Sequence, residues 1–135
     1  MTATRLEIDL NALTHNVSYL KSQLAPEVQM MGVVKAFGYG SDAEVIALKL
    51  QDLGLSYLAV AYAPEGAALR KAGVRLPILV LHPQPDNFEL LLQHCLEPSL
   101  YSPRLLKAFI AFAKAELPKT IRTTIIFFII MLFIK

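Results

Sequence analysis

The chain has 135 residues, with 13 Lys and Arg against 11 Asp and Glu, a formal net charge of +2 and a hydrophobic fraction of 55%. The basic residues are interleaved with acidic ones, so no electropositive face for nucleic acid is expected. A single cysteine, Cys95, excludes an intrachain disulfide framework and a cysteine-based metal cluster, and no metal site is expected. Beside His94, Cys95 reads as a buried structural thiol, because neighbouring helical residues point in different directions.

Met1 is followed by Thr2, Ala3, Thr4 and Arg5, with no apolar stretch of the secretory kind. Leu6, Ile8 and Leu10 alternate with Glu7 and Asp9, the period of a half-buried strand. Asn11 then suits a helix cap, and Leu13, Val17, Leu20 and Leu24 fall on one helical face. Met30 to Val34 is an unbroken apolar run ending at Lys35, as expected of a parallel strand covered on both sides. Residues 37–40 form a glycine-bearing turn. Ser41 or Asp42 caps the next helix, which Gly54 stops.

The pattern recurs. Residues 57–61 predict a strand, 64–71 a helix with proline at its start, and 78–81 another strand. His82-Pro83-Gln84-Pro85 is a stiff turn, Asp86 caps a helix over 87–94, and 96–100 is a short strand interrupted by proline. Pro103 starts a helix reaching about residue 115. Strand, loop and helix repeat about every 20–27 residues, the spacing of right-handed βαβ units. A (β/α)8 barrel and an open doubly wound sheet both fit, although no G-x-G-x-x-G follows the first strand.

Residues 116–135 differ in character. The uninterrupted apolar stretch 125–134 is shorter than the roughly 20 residues a membrane-spanning helix needs. It reads as a buried element of a larger fold, an undersized anchor, or a sequence foreign to the rest of the chain. Membrane association is not expected.

Lys35 stands out chemically. At the C-terminal end of a buried strand it lies where barrels gather catalytic groups, and desolvation there favours the neutral amine that condenses with aldehydes. The plain alternative is a lysine whose stem packs while its head reaches water. For Tyr39 the alternative is a packed ring with a satisfied hydroxyl; His82, at the end of the strand over 78–81, would face the site in a barrel but reads as a solvated loop histidine and a bystander.

Val33-Val34-Lys35-Ala36 followed by Tyr39-Gly40 resembles the cofactor-attachment motif of the alanine racemase family. Glu7 to Leu13 with Asn16, Leu58 to Ala61 with Glu65 and Leu69-Arg70, and Ile78 to Leu81 are similar to further family segments in the same order. Residues 36–41 resemble the variants fused behind a cell-wall ligase. Asp42 departs from the family, which has glycine there.

The resemblance spans about residues 5–115 and implies roughly the first half of a (β/α)8 barrel, with 1–115 as barrel and 116–135 as a non-matching tail. It implies pyridoxal 5'-phosphate as cofactor, Lys35 as its catalytic attachment point, and Tyr39 as a hydrogen-bond donor to its phosphate. It also implies alanine as substrate, D-alanine for the cell wall as product, a cytoplasmic location and a homodimeric full-length protein. The second proton-transfer residue, a tyrosine from a C-terminal domain, has no counterpart in these residues. A chain with one acid–base group is therefore expected to lack racemase activity alone. A non-catalytic barrel that only holds pyridoxal phosphate is the alternative.

Overall fold

The computed structural model describes residues 4–116; the apolar stretch singled out above lies outside them. Helix α1 covers Leu10–Ser22, strand β1 Met31–Val33, the helical turn α2 Lys35–Gly40, and helix α3 Ala43–Asp52. Then come β2 (Tyr57–Val60), α4 (Ala63–Lys71), β3 (Ile78–Val80), a 3-10 turn at Pro85–Asn87, α5 (Phe88–Gln93), β4 (Glu97–Pro98) and α6 (Pro103–Glu116). Among the described residues the four strands are all parallel, in the spatial order β1-β2-β3-β4. An order that never reverses, with a helical connection between successive strands, is that of one half of a (β/α)8 barrel. A doubly wound sheet reverses its order partway, and that reading is set aside.

The first expected strand is absent. Residues 6–8 have no regular structure and Leu6 is exposed. Alternation alone cannot make a strand without a neighbour to accept its ladder bonds. The helix cap also moves two residues earlier: the Asp9 carboxylate accepts from the backbone N–H of Asn11 (2.8 Å) and Ala12 (3.1 Å). Of the predicted apolar face of α1, Val17 is buried and Leu13 packs on the core, whereas Leu20 and Leu24 face solvent.

The two faces of the sheet differ. Gly32, Val34, Leu58, Val60, Ile78 and Val80 point toward the helices, and all except Gly32 are buried. Gly32 lets α3 approach closely, since a Cβ there would meet Leu50 Cδ1 at 2.7 Å. On the opposite, inner face, Met31 and Val33 are 45% and 41% exposed. Strand β1 is therefore covered on one side among the described residues, not on both as its apolar run suggests. Tyr57 donates its hydroxyl proton to Glu97 across this inner face. Burial raises the Glu97 carboxyl above its usual range.

Long polar side chains tie the layers together. The Arg70 guanidinium on α4 donates to four carbonyls: Val74 (2.9 Å), Leu76 (2.7 Å), His94 (3.0 Å) and Cys95 (3.3 Å). It thus fixes both the approach to β3 and the approach to β4. Lys21 on α1 donates to the Leu53 and Gly54 carbonyls at 2.7 and 3.1 Å, closing the C-terminus of α3. Phe88 and Phe109 meet edge to face at 5.1 Å, bringing α6 onto α5. Cys95 is exposed, contrary to its reading as a buried thiol. It follows α5 with φ of 48°, which turns the chain so that Leu96 takes the buried place instead. Among the described residues no helix is long and apolar enough to cross a membrane.

Candidate active site

The C-terminal ends of the strands form one rim, and the sequence-predicted residues gather there. Lys35 lies one residue past the end of β1, after Val34, and is half-buried. It shares the parity of Met31 and Val33, but Val34, at φ -123° and ψ 23°, has already left the extended conformation, so Lys35 opens the turn and no longer belongs to the strand's alternation. The register aligns β1 with β2 and β2 with β3 such that Val33, Ala59 and Leu79 lie side by side. Lys35 stands two residues beyond Val33, the last β1 residue of the ladder, and so just past the C-terminal edge of the sheet.

The backbone after Lys35 is unusual. Ala36, Phe37, Gly38 and Tyr39 have φ of 51°, 55°, 65° and 59°, a single turn wound left-handed. Outside glycine this conformation costs roughly 1–2 kcal/mol per residue, so Ala36, Phe37 and Tyr39 together store several kcal/mol. Such strain persists only when the surroundings hold it. Gly38 N–H donates to the Val34 carbonyl at 3.1 Å and closes the turn. Gly38 is also buried against α3, where a Cβ would lie 3.3 Å from both Cα and N of Ala43. Ahead of α3, the Asp42 carboxylate accepts from Glu44 and Val45 N–H at 3.1 and 3.0 Å. The residue that departs from the family pattern is thus a helix cap.

The turn projects two aromatic rings outward, Tyr39 at 67% and Phe37 at 81% exposure. Tyr39 is not a packed ring; its phenol stands at the rim within the turn that begins at Lys35. Behind the turn, on the helix side of the sheet, lies an open groove of about 510 Å³ lined by Phe37, Asp42, Pro64 and Glu65 among others. Neither Lys35 nor Tyr39 lines it, so the groove is separate from the amine.

Sequence reading missed two features of the rim. Glu65, in the first turn of α4, accepts three backbone N–H bonds: Ala36 at 2.7 Å, Ala61 at 2.7 Å and Tyr62 at 3.0 Å. Its place in a segment shared with Leu69 and Arg70 was legible, but its reach to Ala36 had no local signal. The second feature surrounds His82 at the tip of β3. The ring stacks on Tyr101, with planes 8° apart, and its Nδ1 lies 3.1 Å from the Tyr101 hydroxyl. Tyr62 meets the same imidazole edge-on at 5.7 Å. His82 is exposed yet engaged by two tyrosines, more than a merely solvated loop histidine.

Comparison with known proteins agrees with this geometry. The sequence profile described as Alanine racemase, N-terminal domain matches residues 8–126. An alanine racemase of Nostoc sp. is 44% identical over 101 residues, covering 73% of this chain and 26% of its own length. Alanine racemase 1 of Bacillus subtilis is 46% identical over 86 residues, 63% of this chain and 22% of that protein. Among solved structures, alanine racemase of Clostridium difficile 630 aligns with a TM-score of 0.75 and 33% identity, covering 78% of this chain and 29% of that one. The Bacillus anthracis alanine racemase with bound L-Ala-P aligns at 0.72 and 30% identity, covering 77% and 27%. The chain thus spans between a fifth and a third of the length of these relatives. With its profile match, its four parallel strands and its half-barrel order, the chain belongs to the alanine racemase N-terminal domain family.

Proposed function

We propose that this chain is the barrel portion, residues 1–115, of a pyridoxal 5'-phosphate-dependent alanine racemase, with Lys35 as the cofactor-bearing lysine. The observation that carries it is Lys35 at the tip of β1, the rim where barrels of this architecture assemble their active sites.

The residues present fit such a cofactor. An aldehyde needs an amine reachable from solvent yet held by a rigid element, and the half-buried Lys35 at a strand end meets both conditions. A phosphate needs hydrogen-bond donors some distance from that amine. The exposed phenol of Tyr39 offers one, on a turn whose strained backbone fixes its direction. When bound, pyridoxal phosphate supplies an electron sink for charge developing at an amino acid's Cα. Lys35 would carry a proton to or from one face of that carbon at its Nζ, and Tyr39 would hold the phosphate end.

Inverting a stereocentre takes a second acid–base group on the opposite face. In this reading a tyrosine of a partner subunit in the full-length homodimer supplies it. Alanine as substrate is supported by the names of the relatives, and a cytoplasmic location follows from the same reading. The test is a chimaera in which residues 1–115 replace the matching part of the Nostoc sp. relative. Interconversion of L- and D-alanine that disappears with Lys35→Ala supports the proposal. A folded chimaera that retains turnover without Lys35 refutes it.

A further inference from the structure

We propose that Glu65 is a positioning residue for Lys35, its carboxylate tying the tip of β1 to the start of α4 and so holding the left-handed turn on which the lysine's orientation depends. The inference rests on the proposed function, because it concerns how that lysine is aimed.

The two carboxylate oxygens do different work. Oε2 accepts from Ala61 and Tyr62, four and three residues earlier in the chain, which is the role of a helix-start cap. Oε1 reaches 29 residues back to the N–H of Ala36, the residue that follows Lys35. A cap alone needs no such span. The ladder between β1 and β2 has run out at this point: its last bond is Val34 N–H to the Ala59 carbonyl at 2.9 Å. The next acceptor in line, the carbonyl of Ala61, is already taken by His82 N–H at 2.9 Å. Ala36 N–H bonds Glu65 instead, so a side chain takes the place of the sheet's next acceptor. Ala36 is also the first residue of the turn with positive φ. Its N–H is the point at which a bond can hold the turn from the lysine side, while Gly38 holds it against α3. Without that bond the Lys35–Ala36 peptide loses its tie to the start of α4, and the amine loses a fixed origin.

The cap and the positioning role separate by side-chain length. Glu65→Asp, one methylene shorter, keeps a carboxylate near Ala61 and Tyr62 but cannot span to Ala36. Glu65→Gln preserves length with one acceptor oxygen and serves as the second variant if the shorter one does not fold. The full chain is incubated with pyridoxal phosphate, reduced with borohydride and mapped peptide by peptide, with amide exchange measured on the same proteins. The expected result is at least a fivefold lower label at Lys35, unchanged label at the other lysines, and at least tenfold faster exchange over amides 36–40, with β2 and β3 unaffected. Wild-type labelling of Lys35 in both variants overturns the proposal. If the unmodified chain takes no label at Lys35, the functional reading fails instead. Exchange over 36–40 then decides for Glu65 alone: faster in the variants supports the tether, unchanged overturns it.

Discussion

Substituting Gly38 with alanine tests the turn on which the site is built. The residue has φ of +65° and its missing Cβ faces Ala43 Cα, Ala43 N and Ile46 Cδ1, each at 3.3 Å. Two costs add. Alanine in left-handed backbone costs about 1 kcal/mol or somewhat more. Contacts with the backbone of α3 cannot be relieved by rotating a side chain, so the helix must shift, an overpacking cost of about 1–3 kcal/mol. The sum is about 3 kcal/mol. Gly40 provides the control, with φ of +86° and nothing within 4 Å of its would-be Cβ. Gly40→Ala therefore carries the conformational cost alone, about 1 kcal/mol. In urea unfolding, with a slope of ~1.5 kcal/mol/M, Gly38→Ala should lower the midpoint by about 2 M and Gly40→Ala by under about 1 M. Equal shifts would mean that the turn does not press on α3, and the account of how it is held would be wrong.

Arg70→Met keeps the aliphatic stem but leaves four carbonyls without their donor, and should cost about 2–4 kcal/mol in the same unfolding assay. A change under about 1 kcal/mol would show that water replaces the guanidinium freely. Burial raises the Glu97 carboxyl, so the folded chain binds a proton more tightly there than the unfolded one. Its contribution is fully present below glutamate's ordinary value and is lost as pH rises through the raised folded value. Glu97→Gln, which keeps an acceptor for Tyr57, should flatten stability across that window; an unchanged slope would place the titration elsewhere. The unfused chain, in which the proposed reading supplies an acid–base group, Lys35, to one face of Cα alone, should not interconvert alanine enantiomers in a coupled assay. Turnover abolished by Lys35→Ala would contradict this.

What the sequence revealed follows from which interactions are local. The apolar run before Lys35 marked β1, and the spacing of Lys35, Tyr39 and Gly40 marked the candidate site, because each is carried by neighbouring residues. The left-handed turn was hidden. Ala36, Phe37 and Tyr39 have no preference for positive φ, and only Gly38 and Gly40 hinted at it. The turn exists because a carboxylate 29 residues away and the N-terminus of α3 hold it, which no local pattern encodes. Leu6 and Ile8 carry a strand's alternation but have no partner strand among the described residues. Cys95 misled for a related reason: its neighbour Leu96 competes for the same buried place and wins it on hydrophobicity.

Whether the amine at the end of β1 is the group that takes the cofactor can be read from one peptide map. Chain saturated with pyridoxal phosphate and reduced with borohydride should yield one dominant pyridoxyl-modified peptide containing Lys35, absent from Lys35→Ala. A modification spread evenly over the surface lysines, or concentrated on another of them, would contradict it.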